Sequence, residues 1–140
     1  MRKAASLGLS VAKPWNEGER YDFILRIAHV CWRVQVKSVA RISPSRRHYR
    51  IKTSGGSGLL RHTPYSAEEI DFLVAYIFPE DVWYVFLAKI LGSRLSVCVR
   101  PGSKKLSYEQ YREAWELMIP AEEAAAQPVS ESALNPMTEP

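Results

Sequence analysis

The alternation of apolar and polar positions is cleanest over residues 31–39, CWRVQVKSV. Trp32, Val34 and Val36 fall on one side, and Arg33, Gln35 and Lys37 on the other. A period of two is that of a half-buried strand. Residues 21–25 (YDFIL) read as a strand just upstream. The short gap between the two runs predicts a hairpin, although Ala28-His29 is not a favoured turn pair. Residues 9–12 read as a first short strand ended by Pro14, and Asn16-Glu17-Gly18-Glu19 is turn chemistry. Ahead of them, residues 2–7 read as the last turns of a helix that Gly8 stops. Further on, residues 49–52, 74–78, 83–86 and 95–99 are strand-like, and SGGSG at 54–58 reads as a flexible loop. Ser66 has Glu69 three residues on, a capping-box spacing that predicts a helix over 67–73. Ser107 with Gln110 predicts another over 108–118, with Tyr108, Tyr111, Trp115 and Met118 facing the core. This order predicts an α/β domain with a central sheet and helices packed on it.

Composition narrows the class without changing that picture. The chain is 46% apolar and 24% charged, enough to bury one core over residues 1–119. Collagen-like, disulfide-scaffold and wholly disordered readings are excluded. Residues 120–140 are rich in Ala, Glu and Pro and read as a disordered acidic tail. No run of about 18 apolar residues predicts a membrane span. The start, MRKAASLGLSVAKPW, lacks the sustained apolar stretch of a secretory signal. Cys31 and Cys98 form no CxxC, and His29, His48 and His62 have no zinc-ligand spacing. Two reduced, partly buried thiols in a cytoplasmic protein are expected.

Charge does change the picture. The net charge of +4 hides an asymmetry: residues 1–105 carry 18 Lys/Arg against 8 Asp/Glu, and residues 106–140 carry 1 against 7. Residues 26–67 contain no acid at all, only Arg26, Arg33, Lys37, Arg41, Arg46, Arg47, Arg50, Lys52 and Arg61. Such a field attracts polyanions, and Arg33, Arg41, Arg46, Arg47, Arg50 and Lys52 are the candidate contacts to a nucleic-acid backbone.

At the start of that basic stretch and just ahead of it lies the candidate chemistry. Arg20-Tyr21-Asp22 is followed 13 residues after Asp22 by Gln35-Val36-Lys37. If the two strands pair about a turn centred between Ala28 and His29, Asp22 falls opposite Gln35, and Lys37 shares the Gln35 side. A carboxylate and an amide oxygen suit a hard divalent cation, and an ammonium beside them stabilises charge on a phosphate. On spacing alone an ordinary surface ion pair is the commoner outcome.

The run ERYDFIL…WRVQVKS, with FPEDVWYVF and YEQYREAWELM downstream, resembles the PD-(D/E)XK nucleases over roughly residues 3–118. More narrowly it resembles their group I intron-associated homing endonucleases, in which Gln replaces the usual acid to give D…QxK. The resemblance implies a restriction-endonuclease-like core, a central mixed β-sheet flanked by helices. It implies Asp22 as metal ligand, Gln35 in the position of an acidic ligand, and Lys37 as the catalytic lysine. It further implies Mg²⁺, with Mn²⁺ as a substitute, DNA as substrate, and a homo-oligomer, dimer or tetramer. The family usually carries a Glu on the helix before the first strand; here that helix is MRKAASL and has no acid, as if truncated. Glu17 and Glu19 follow the first strand and do not match that position. Weak metal binding is therefore expected. Beside the endonuclease reading stand a catalytically impaired DNA-binding module of the same fold and a Holliday-junction-resolvase-like nuclease.

Overall fold

The computed structural model of the chain describes residues 2–45, 47–56, 62–105 and 108–125. Its elements are, in chain order, α1 (Arg2–Ser6), β1 (Ser10–Ala12), β2 (Phe23–Ile27), β3 (Val30–Val39), β4 (Tyr49–Lys52), β5 (Ser54–Gly55) and β6 (Thr63–Pro64). They continue as β7 (Phe72–Ile77), β8 (Val82–Leu87), α2 (Ala88–Leu91), β9 (Ser96–Val99) and α3 (Ala121–Ala124).

Five strands form a mixed central sheet in the order β1-β2-β3-β7-β8, and β3–β7 is its one parallel pairing. The β2–β3 hairpin closes through Ala28-His29 with Phe23 opposite Val34 and Ile27 opposite Val30, the expected register. Ala28 reaches this turn at φ 52°, the left-handed region that a Cβ disfavours.

A parallel pair needs a crossover. Residues 40–71 provide it, and within it β4 pairs with β9 while β5 pairs with β6. On this side of the sheet Tyr49 and Ile51 of β4 and Val97 and Val99 of β9 bury against Leu73, Ala75, Ile77, Tyr84 and Phe86. The opposite side is a second core of Leu25, Val34, Phe72, Val74, Val85, Ala114 and Met118, lined by Ala4 of α1 and Trp115. β7 therefore buries both faces, which is why it reads as a continuous apolar run. Gly8 (φ 71°) stops α1 as expected: Gly8 N–H bonds the Ala5 carbonyl and Leu9 N–H that of Ala4, a Schellman pair.

Two expected helices do not form. Ser66 and Glu69 do make the capping contact, Ser66 N–H to the Glu69 carboxylate at 3.1 Å. The chain nevertheless makes one turn only, because Ile70 is fully buried and Asp71 bonds back to the Arg33 carbonyl, which sends residues 72–77 into β7. Residues 108–118 are two 3₁₀ turns, Glu109–Tyr111 and Trp115–Met118, split by extended Arg112 and by Glu113 at φ 51°. Tyr108 and Tyr111 join one core, while Ala114, Trp115 and Met118 join the other. A helix presents a single stripe; this segment instead crosses the β8 edge, bridging Tyr84 and bonding the Trp83 carbonyl at 2.7 Å.

In the acidic C-terminal stretch, Ala121–Ala124 is one helical turn, and residues 126–140 lie outside the described residues. So do Arg46, Arg61, Ser107 and residues 57–58 of the expected loop, whose first two residues are β5. Cys31 is exposed rather than partly buried, Cys98 is half-buried, and both are free. Among the described residues no helix is long and apolar enough to cross a membrane.

Candidate active site

Asp22 ends the approach to β2, where its N–H still bonds the Val34 carbonyl at 2.9 Å. Its carboxylate turns onto β3. Oδ2 accepts from Gln35 Nε2 at 2.6 Å and from the Val36 backbone N–H at 2.8 Å. A carboxylate only accepts, so the Gln35 amide must present its nitrogen to Asp22. That nitrogen also reaches the Val36 carbonyl at 3.2 Å. The consequence is specific: Asp22 Oδ1 and Gln35 Oε1 have no protein donor among the described residues. Gln35 is only 8% exposed, yet it lines an open cleft of about 280 Å³ together with Arg20, Tyr65, Glu17 and Glu19.

Lys37 stands two residues further along β3, on the Gln35 side. Its Nζ donates to the Tyr65 hydroxyl at 2.9 Å and lies 5.0 Å from that ring's centre. Tyr65 is the site residue that the sequence reading missed. It belongs to the crossover, 28 residues from Lys37 in the chain, and no local spacing could bring it forward.

The basic residues divide. Arg33 Nε and Nη2 donate to Asp71 at 3.1 and 3.0 Å, its backbone N–H donates at 2.8 Å, and its guanidinium also caps the Glu68 carbonyl. Burial would push the Asp71 carboxyl up, but these Arg33 bonds outweigh it and hold the group below the ordinary carboxylate range. Arg33 is thus an internal clamp between β3 and the turn before β7. Arg41, Arg47, Arg50 and Lys52 are exposed and make no ion pair among the described residues. Arg50 and Lys52 alternate with buried Tyr49 and Ile51 on β4, so they share its outer face.

A sequence profile of the PD-(D/E)XK endonucleases matches residues 1–118. The chain belongs to that family. Its sheet is accordingly a restriction-endonuclease-like α/β core, although here short turns and the β4–β9 ribbon do most of the flanking. Among solved structures, that of a bacterial homing endonuclease, I-Ssp6803I, is similar with a TM-score of 0.73 and 26% identity, over 90% of this chain and 88% of that one. A crystal structure of MepB reaches a TM-score of 0.44 at 14% identity, over 78% of this chain and 82% of that one, too low to bear on the site. Among curated proteins none matches.

The donors present suit the divalent ion that such nucleases use. Mg²⁺ takes one or two carboxylates and completes its shell with water and substrate phosphate. Asp22 Oδ1 and Gln35 Oε1 supply two hard oxygens with one formal charge. α1 contributes no acid to its first turn, and no group of three or more His, Cys, Asp or Glu among the described residues is placed to hold a metal. Glu17 and Glu19, which the sequence motif leaves aside, are exposed carboxylates in the wall of the same cleft.

Proposed function

We propose that this protein is a Mg²⁺-dependent DNA endonuclease with Asp22 and Gln35 as metal ligands and Lys37 as the catalytic lysine. The observation that carries the reading is the Asp22–Gln35 bond, which leaves one oxygen of each without a protein donor among the described residues, with Lys37 two residues on along the same side of β3. The bound cation would supply an activated water and polarise the scissile phosphate. Asp22 and Gln35 fix the donor geometry; the Lys37 ammonium faces the phosphate as its negative charge grows. Mn²⁺ fits the same oxygen donors. Arg41, Arg47, Arg50 and Lys52, with Arg46, hold the DNA backbone and position it without reading bases. The family and the similarity to a bacterial homing endonuclease support DNA as the substrate. Cutting both strands calls for two such sites, hence a homo-oligomer.

The test is cleavage of supercoiled plasmid, linear duplex and four-way junction with Mg²⁺, with Mn²⁺ and with EDTA. Metal-dependent nicking is expected, and Lys37→Ala should abolish it while DNA binding persists. Binding should fall on the order of 10³-fold between 50 and 200 mM salt if about six phosphates are contacted. A second reading, a DNA-binding module of impaired activity, is favoured by one observation: α1 lacks an acid, which leaves a single carboxylate in the pair. DNA binding without cleavage under any of these metals establishes that reading instead.

A further inference from the structure

Lysine is a poor choice for a fixed charge. Its four-carbon stem carries about 2 kcal/mol of rotamer entropy, and its ammonium is strongly hydrated. Lys37 nevertheless ends on one hydroxyl, that of Tyr65, which is only 5% exposed. Three features hold Tyr65 there. Its N–H donates to the Thr53 carbonyl at 3.1 Å. The Arg20 guanidinium lies 4.4 Å from its ring centre. Gly55 leaves room for the hydroxyl, since a Cβ at that position would stand 2.1 Å from the oxygen.

Arg20 ties the stack to the rest of the site. It donates to the carbonyls of Gly55, Thr63 and Pro64 at 2.6, 2.9 and 3.1 Å, so it fastens the β5–β6 pair. It also sits two residues before Asp22. Arg20 and Lys37, two cations, thereby share one aromatic ring, and each has a defined distance to it.

We infer that Tyr65 is the positioning residue for Lys37: its hydroxyl fixes the ammonium at the cleft, and Gly55 and Arg20 fix the hydroxyl. This rests on the endonuclease reading for its catalytic consequence, but the ordering of Lys37 stands apart from it. Fixed orientation is worth much in such a site, where a misplacement of about 1 Å costs on the order of 10²-fold.

Tyr65→Phe removes one oxygen and keeps the ring beneath Arg20. On a cleaved duplex, kcat should fall about tenfold with KM, DNA affinity and melting temperature unchanged. In protein carrying ¹³C-labelled lysine, the Lys37 Cε order parameter should fall in Tyr65→Phe, while that of Lys52 stays put. Gly55→Ala, which displaces the hydroxyl from the other side, should reproduce both effects. An unchanged Lys37 order parameter overturns the inference whatever the activity. So does a raised KM at constant kcat, which would make Tyr65 a DNA contact. If the unaltered chain cleaves no DNA, the endonuclease reading falls, and a lowered order parameter still upholds Tyr65 as the anchor of Lys37.

Discussion

Asp22 and Asp71 both reach across to the same strand, β3, and they are finished differently. Asp71 has both oxygens taken: Oδ2 by the Arg33 N–H and Nε, Oδ1 by Arg33 Nη2. Asp22 has Oδ2 taken twice and Oδ1 left over. The first arrangement is closed, with a full countercharge two residues from the second on β3. The second is anchored by a neutral amide and stays open to a cation. Saturation by protein donors separates a carboxylate that holds a fold from one that is available for chemistry, even where both are partly buried on one sheet.

The comparison can be broken most sharply at Asp22. Asp22→Asn should lower Mg²⁺-dependent cleavage by about 10³-fold, equivalent to several kcal/mol of transition-state stabilisation, with partial rescue by excess metal. Chemical denaturation should find its stability little changed. Asp71→Asn should do the reverse, lowering stability by about 1–2 kcal/mol because Arg33 loses its countercharge and one of two acceptor oxygens in a partly screened pair. Cleavage per folded molecule should persist.

The protonation of Asp71 gives a finer test. Its carboxyl is held below the usual range in the folded chain, so the unfolded state takes up a proton first on acidification. The stability gap between the unaltered chain and Asp71→Asn should therefore be constant at neutral pH. It should close as pH falls below about 4. A gap that persists in acid would show that shape rather than charge is at stake. The smallest effect separates the closed arginine from an open one. Arg50→Ala should weaken DNA binding a few-fold and reduce the salt slope by about one, whereas Arg33→Lys should leave both unchanged. Titration of DNA at several salt concentrations distinguishes the two.

Much of this was legible in the sequence because strand geometry is arithmetic. Once residues 31–39 alternate and the turn is centred on Ala28-His29, Asp22 must face Gln35, whatever the preference of that turn pair. Local signals failed where tertiary contacts overruled them. The Ser66–Glu69 capping contact forms, but the buried residues after it belong to a central strand. The aromatic residues of 108–118 have helical spacing, yet they serve two different cores across a sheet edge. The charge pattern did not show that Arg33 is paired, because Asp71, its partner, is remote in sequence and beyond the acid-free run. Tyr65 was illegible for the same reason of distance.

The crossover of residues 40–71 carries one further consequence, for folding kinetics. Its ends must meet before the parallel pairing of β3 and β7 can form, and loop closure of that length is the slow kind of contact. The same stretch delivers Tyr65 to Lys37 and builds one wall of the cleft. Completion of the central sheet and assembly of the cleft thus depend on one and the same long-range closure. A partly folded chain with an intact β2–β3 hairpin would hold Asp22 against Gln35 yet leave Lys37 swinging free, so that competence arrives with the last long-range closure and not with the ligands.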